Sequence, residues 1–283
     1  MDYLRGFLPL NLLTFIYSPW FISYLVIAFL IFLFTFKKNN PIQPSLIKHL
    51  FPPSHYLRKD FLIDFFLYLL NKGLLTTTAF FTAWSLDLSR LTVDFFTQIT
   101  TEVKTHNISS GWTFWIIAFL ILLANDFAMF VTHYLRHKIP LLWELHKVHH
   151  SSLRLTPFAG LRNHPLEILF IMLFMFSLNT LISIALILFG VPVLKAFSTV
   201  ASLKVFYFVT AHFRHSHIWL PFPKWLSYIL ISPAMHQIHH SLAPKHFHKN
   251  FGFIFTFWDS ALKSAYIPTQ PESLCMGVES TNP

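Results

Sequence analysis

Long apolar runs are the feature that most limits how this chain can fold. The first covers about residues 12–36, and a helix of roughly 20 apolar residues is enough to cross a bilayer. Four further runs follow, at about residues 61–84, from 112 into the first histidine cluster, at 166–190 and at 193–213. Because hydrocarbon offers no partner for unpaired backbone groups, such runs predict helices. We therefore expect an all-α integral membrane protein with five transmembrane helices, or four if one segment is re-entrant.

The composition also indicates a membrane protein. Hydrophobic residues make up 54% of the 283 residues and charged residues only 12%, against about 25% charged residues in soluble domains. The net charge of +9 is not gathered into a basic patch with interleaved aromatic residues, so nucleic acid is not an expected partner. Cys275 is the only cysteine, which excludes an intrachain disulfide and a cysteine-bound iron–sulfur cluster.

Lysine and arginine residues predict the orientation, because loops rich in them face the cytoplasm. They follow the first run (Lys37, Lys38, Lys48, Arg58 and Lys59), the third (Arg136, Lys138, Lys147, Arg154 and Arg162) and the fifth (Arg214, Lys224, Lys245, Lys249 and Lys263). The histidine clusters follow the third and fifth runs. The sequence therefore predicts a histidine-rich helical cap on the cytoplasmic face of a multi-pass membrane protein.

Three histidine clusters carry the chemistry. Their members are spaced three or four residues apart, which places side chains on one face of a helix. Imidazole suits iron, zinc, copper and nickel, and one tetrahedral ion takes only four ligands. Two metal ions that share the set are therefore the simplest interpretation. The eight candidate catalytic ligands are His133 and His137, then His146, His149 and His150, and finally His236, His239 and His240.

Other residues are weaker candidates for the same site. His215 is the next expected metal ligand, followed by His164, His212 and His246. A carboxylate that accepts a hydrogen bond from a ligand imidazole fixes the orientation of that ring. Asp126 is expected to share a helix face with His133, which follows it by seven residues. The candidates for this supporting role are Asp126, Glu144, Glu167 and Asp259.

A divalent-metal transporter would also use clustered histidines. Transporters usually place their ligands near the bilayer midplane, on interrupted helices. Here the clusters lie beyond the ends of the apolar runs, which favours an enzyme over a transporter.

Further short motifs surround the clusters. Residues 162–167 read RNHPLE, 215–217 read HSH, 249–252 read KNFG and 258–259 read WD. The clusters themselves read HYLRH, HKVHH and HQIHH. Together these motifs, within about residues 126–268, resemble the three histidine boxes and flanking elements of the sterol desaturase/fatty acid hydroxylase superfamily.

The resemblance implies a non-haem di-iron enzyme that uses O₂ to hydroxylate or desaturate a sterol-like or fatty-acyl lipid. Zinc is expected if labile iron is replaced during purification. No haem, flavin or iron–sulfur motif is found, so a separate electron donor of the ferredoxin, cytochrome b5 or reductase type is implied. A catalytically inactive family member is the alternative, although all eight box histidines are intact.

The resemblance also suggests how the chain is divided. Residues 1–111 are expected to form an N-terminal transmembrane region with two spans and their loops. Residues 112–268 are expected to form the catalytic domain, and residues 269–283 a disordered tail.

Overall fold

The structure is a computed structural model that describes residues 19–35, 45–76, 78–99 and 108–278. Within these ranges the chain is helical, and the β pairing is limited to the isolated bridges Leu230–Phe255 and Ser241–Met276. The predicted all-α class is therefore confirmed. Some predictions, such as that for the start of the first run, concern residues outside the described ranges.

The described ranges contain thirteen α-helices and two 3₁₀ turns, joined by loops. The α-helices are α1 (Pro19–Thr35), α2 (Leu46–Leu50), α3 (Pro53–Tyr56), α4 (Lys59–Thr76), α5 (Thr78–Ile99), α6 (Gly111–Lys138), α7 (Pro140–His150), α8 (Pro165–Leu188), α9 (Val193–Leu203), α10 (Val205–Arg214), α11 (Lys224–Ser227), α12 (Pro233–His239) and α13 (Phe257–Ala261). The 3₁₀ turns cover Pro157–Leu161 and Pro244–His246.

Two helices in the described ranges are long and apolar enough to cross a membrane. They are α6, with 28 residues, and α8, with 24. The helix α1 is also apolar, but its 17 residues make it shorter than either of these two helices. The fifth predicted run is not one helix, because it divides at Lys204 into α9 and α10, of 11 and 10 residues. Two candidate spans are thus established by length and composition, against the four to five predicted.

The second predicted run, at about residues 61–84, is shared by two helices. It covers most of α4, which extends to Thr76, and the first turns of α5. The helix α5 continues to Ile99 and packs along α8. Ser89 and Val93 form the buried face of α5, four residues apart, and the Ser89 hydroxyl donates to the carbonyl of Thr180 (3.2 Å). Asp87 and Arg90 pair on the exposed face.

The helix α6 lies at the centre of the fold, against α7, α8 and α9. Its buried residues Phe114, Ala118, Ile121 and Leu122 recur at three- to four-residue spacing, which is the pattern of an inward helix face. The same face continues to His133 in the last turns of the helix. Packing of this apolar stripe therefore sets the height and rotation of the first histidine cluster.

The chain beyond residue 268 differs from the disordered tail that the sequence suggested. The amide of Leu242 donates to the carbonyl of Cys275 (2.8 Å). The carboxylate of Glu272 accepts hydrogen bonds from Tyr266 (2.8 Å) and His246 (3.1 Å). These contacts hold residues 269–278 against the loop that follows α12, because a polar tail can be ordered by partners that its composition does not reveal. Residues 279–283 lie outside the described residues.

Asn71 offers a test of how the N-terminal helices are joined to the rest of the fold. Its buried side-chain amide donates to the carbonyls of Leu161 and Asn163 (2.8 Å each). The substitution Asn71→Ala leaves both carbonyls without this donor, so we expect the free energy of unfolding to fall by about 2 kcal/mol. Thermal unfolding in detergent, followed by circular dichroism, measures the change.

The control is Leu70→Ala, a neighbour on α4 that is 41% exposed. It removes more apolar surface than Asn71→Ala but no hydrogen bond. Equal losses of stability in the two variants would show that Asn71 does not join α4 to the segment around Leu161.

Candidate metal centre

Three helices bring the histidine clusters together. The last turns of α6 carry His133 and His137, whereas α7 and α12 each begin with a proline, whose fixed φ suits the first helical position. The start of α12 is capped by Ser232, whose hydroxyl accepts from the amide of Met235 (3.2 Å). Two short helices that start at proline, one of them also capped by Ser232, therefore hold the second and third clusters near the end of the first.

Nine histidines converge in two adjacent groups, and within each group the candidate ligand atoms lie within 4.8 Å of one another. The five-histidine group contains His133, His137, His146, His150 and His239. The four-histidine group contains His149, His215, His236 and His240. The structure thus brings together all eight box histidines and adds His215, which was the next expected ligand.

The four-histidine group has the spacing of ligands around one ion. The Nε2 atom of His215 lies 3.1 Å from the Nε2 atoms of His149, His236 and His240, and those of His236 and His240 are 3.2 Å apart. A metal–nitrogen bond of about 2.0–2.1 Å places neighbouring ligand nitrogens roughly 2.9–3.4 Å apart. A neutral imidazole carries one N–H, so His215 cannot satisfy three such contacts by hydrogen bonding. A cation can.

In the five-histidine group, hydrogen bonds at the back of the rings set their orientation. The Nδ1 atom of His133 lies 2.8 Å from the carbonyl oxygen of Phe251, and that of His239 lies 2.8 Å from the carbonyl oxygen of Lys249. Such a bond fixes the tautomer and turns the Nε2 lone pair inward. The Nε2 atoms of His137, His146, His150 and His239 are buried and have no hydrogen-bond partner within the described chain. The donor set therefore fits a second ion.

Glu167 supports His146 in the same way. One of its carboxylate oxygens lies 2.8 Å from His146 Nδ1 and also contacts the guanidinium of Arg136. All three side chains are buried. Arg136 was not among the residues that the sequence predicted for the metal site. Its position three residues after His133, on the same helix face, was the available signal.

Burial keeps the imidazoles uncharged. Desolvation, aided by neighbouring imidazoles and by Arg136 or Arg214, holds the pKa values of His149 and His215 well below the usual range. Desolvation likewise lowers the pKa of His239 to about 4. The pKa values of the other box histidines outside α6 also fall well below their usual value, namely His146, His150, His236 and His240. Neutral imidazoles have the free lone pairs that metal binding requires.

Three of the weaker histidine candidates lie outside both groups. His164 caps α8, where its Nδ1 atom accepts from the amide of Leu166 (3.2 Å). His212 is half-buried beside the ring of Tyr24. His246 is buried and bonded to Glu272 instead.

The other carboxylate candidates do not contact a ligand ring. Glu144 is exposed and pairs with Lys147. Asp126 accepts from the backbone amides of Ile254 (2.7 Å) and Phe255 (3.2 Å) and from Trp258 Nε1 (3.0 Å). Asp259 also binds backbone amides, in the KNFG segment. Asp126 and Asp259 therefore support a loop, and only Glu167 among the four touches an imidazole.

A small cavity borders both groups. Its space for small molecules is about 50 Å³, and its walls include His137, His150, His239, His240 and Trp143. A single water needs roughly 10–15 Å³ on such a scale, so the cavity has room for a few molecules of the size of water or O₂.

Glu167 and Glu144 provide a matched pair of substitutions. Glu167→Gln removes the buried charge that faces Arg136 and weakens the support of His146, so we expect a roughly 10- to 100-fold loss of affinity for Fe(II). Glu144→Gln alters an exposed pair and should leave the affinity unchanged. Anaerobic competition with a chromophoric chelator measures the affinity, and circular dichroism checks the fold. Equal affinities in the two variants would rule out a supporting role for Glu167.

Comparison with known proteins identifies a family. The family model described as fatty acid hydroxylase matches residues 118–264, which include all nine histidines of the two groups. The chain is 28% identical over 167 residues to an ornithine lipid hydroxylase of Rhizobium tropici, covering 58% of this chain and 47% of that protein. It is 27% identical over 175 residues to a delta(7)-sterol 5(6)-desaturase of Aspergillus fumigatus, covering 56% and 51%.

The match spans about half the length of these curated relatives. No solved structure matches the chain. The family model covers more than half of the chain, including the complete set of candidate ligands. This protein therefore belongs to the fatty acid hydroxylase family.

Proposed function

We propose that this protein is a membrane-bound non-haem di-iron oxidoreductase that uses O₂ to hydroxylate or desaturate a lipid. The observation that carries the proposal is the convergence of nine imidazoles, eight of them buried, in groups of five and four. The curated relatives support the substrate class, because one is named a lipid hydroxylase and the other a sterol desaturase. Sterol-like and fatty-acyl lipids are both compatible with this site.

Iron bound by the two groups would supply the activation of O₂ and the attack on an unactivated C–H bond. Hydroxylation consumes one O₂, two electrons and two protons, and yields an alcohol and one water. Desaturation consumes the same and yields an alkene and two waters. The described chain offers no redox cofactor motif, so a separate ferredoxin, cytochrome b5 or reductase is proposed as the electron donor.

The protein's own residues hold the candidate ligands in place. Phe251 packs against the rings of His133, His137 and His239, at centroid distances of 5.8, 5.2 and 5.6 Å. Trp143 packs against His137 and His150 (5.1 and 5.4 Å). These aromatic contacts limit the positions that the rings can take.

We propose that the lipid reaches the site from the bilayer rather than through the small cavity. The outer surfaces of α6 and α8 expose large apolar side chains, among them Phe127, Leu166 and Phe170. Contact of these surfaces with acyl chains is consistent with substrate entry from the bilayer. We accordingly propose a multi-pass protein with four to five spans, formed by α6, α8 and the shorter apolar segments, and with the histidines on the cytoplasmic face.

Cys275 tests this orientation. It is exposed, it is the only cysteine, and it lies beside Leu242 in the cap. We expect a membrane-impermeant maleimide to label it in inside-out vesicles but not in intact cells, because the cap faces the cytoplasm. Cys275→Ser is the control for background labelling. Labelling from the outside of intact cells would contradict the proposed topology.

The double substitution His149→Ala/His239→Ala tests the metal site and the reaction together, because it removes one ligand from each group. We expect about two Fe per chain in the parent after anaerobic reconstitution, and loss of most of this iron in the variant. Lipids from cells that express the parent should gain one oxygen atom or lose two hydrogen atoms, as measured by mass spectrometry. The variant should not change them.

The control for this experiment is His164→Ala, which removes a half-buried histidine outside both groups. It should keep the iron and the lipid product. A parent protein that binds no metal above the level of the double variant would contradict the proposed function.

A further inference from the structure

The KNFG segment, residues 249–252, supplies backbone rather than side chains to the metal centre. The carbonyl of Lys249 accepts from His239 Nδ1 and the carbonyl of Phe251 accepts from His133 Nδ1, both at 2.8 Å. Two of the five imidazoles in the five-histidine group are thus oriented by carbonyls two residues apart. Among the described residues no such bond joins the segment to the four-histidine group, whose Nε2 atoms contact one another.

The backbone of this segment has an unusual shape that these two bonds require. His248 and Asn250, on either side of Lys249, have φ values of 57° and 59°, in the left-handed region that few residues other than glycine and asparagine adopt readily. Gly252 leaves no room for a side chain, since an added Cβ would lie 2.7 Å from the carbonyl oxygen of Phe255 and 2.8 Å from Asp259 Oδ2. Other residues must therefore hold the segment in place.

Asn250 holds the first half of the segment. It is fully buried, and its side-chain amide donates to the carbonyls of Met235 and Tyr266 (2.9 Å each). Its side-chain oxygen accepts from the amide of Tyr266 (2.7 Å). These bonds tie the segment to α12, the helix that carries His239.

Asp259 holds the second half. Its carboxylate is fully buried and accepts from the amides of Phe251 (2.8 Å) and Gly252 (2.7 Å) and from the hydroxyl of Ser264 (2.6 Å). Both oxygens are used, and every donor is neutral. The amide of Phe251 and the carbonyl that binds His133 belong to the same residue, so a shift at Asp259 reaches the imidazole through one residue of backbone.

We propose that Asp259 is a positioning residue for the five-histidine group, acting through the backbone of the KNFG segment on His133 and, together with Asn250, on His239. The inference rests on the proposed metal-binding function. A carbonyl that accepts from Nδ1 keeps the proton there, directs Nε2 inward and makes it a better ligand. Loss of the buried carboxylate should therefore weaken one metal position and leave the other intact.

Asp126 is a matched control for this experiment. Like Asp259, it is a buried carboxylate that accepts from two consecutive backbone amides and one side-chain donor of the same loop. The residues that it holds, Ile254 and Phe255, have no bond to an imidazole: the carbonyl of Ile254 accepts from the amide of Ile231. The control variant therefore shows the effect of disturbing the loop alone, without the effect of changing the orientation of an imidazole.

The experiment compares Asp259→Asn with Asp126→Asn in the full-length, detergent-purified, metal-free protein. Each protein is titrated with Co(II), whose visible absorption reports the coordination of the ion, and thermal unfolding records stability. In each variant the NH₂ group of asparagine replaces a carboxylate oxygen that accepted a hydrogen bond. Two donors then face each other, so both variants should lose stability. We expect Asp259→Asn to bind one Co(II) as tightly as the parent and the second roughly 10- to 100-fold more weakly.

We expect Asp126→Asn to bind both ions as the parent does. Two ions bound by Asp259→Asn at parental affinity, or equal losses in the two variants, would overturn the inference. If Asp259→Asn does not fold, Ser264→Ala is titrated in its place. It removes one hydrogen-bond donor to Asp259, so it should lower the affinity for the same Co(II) ion by a smaller factor. A parent that binds no Co(II) would contradict the proposed function itself, which is a distinct result.

Discussion

Nine imidazoles gathered in one place, eight of them buried, are the constraint on which the rest of this structure depends. Their ring nitrogens approach one another to 3.1–3.2 Å in the four-histidine group, beside the buried cations Arg136 and Arg214. A buried polar atom without a partner costs about 1–3 kcal/mol, and several of them meet at this place. Metal ions bound by the two groups would satisfy the lone pairs that the protein leaves unpaired, and would thereby stabilise this part of the fold.

The N-terminal helices take part in the metal centre, because α4 supports the second histidine cluster. Arg162 Nη1 bonds to the carboxylates of Asp60 (2.8 Å) and Asp64 (2.7 Å) on that helix. Its Nε atom reaches Ser151 Oγ (3.1 Å) and the carbonyl of Val148 (3.3 Å), at the end of α7. The ion pair is buried, so it fixes geometry more than it adds net stability. The helix α4 is thus part of the support of the second histidine cluster.

Helical spacing was enough to name the candidate ligands from the sequence, but of the groups that contact their rings only Glu167 was among the predicted supports. Residues three and four apart share a face, so the eight box histidines could be named, and all of them lie in the two groups. Asp126 shares a face with His133, but two turns separate them by roughly 10 Å, and its carboxylate binds the loop at Ile254 instead. The carbonyls of Lys249 and Phe251 were not predictable, because every residue has one and only the fold decides which of them meets an imidazole.

The division into five and four follows from helix geometry at two adjacent pairs of histidines. Neighbours on a helix point about 100° apart, so His149 and His150 face different groups. His239 and His240 do the same at the end of α12. Each of these two short helices therefore contributes to both groups, and rotation of either would move ligands of both at once. The spacing of the two histidine groups therefore depends on how α7 and α12 are held, and the starts of these helices are fixed by proline and, in α12, by the Ser232 cap.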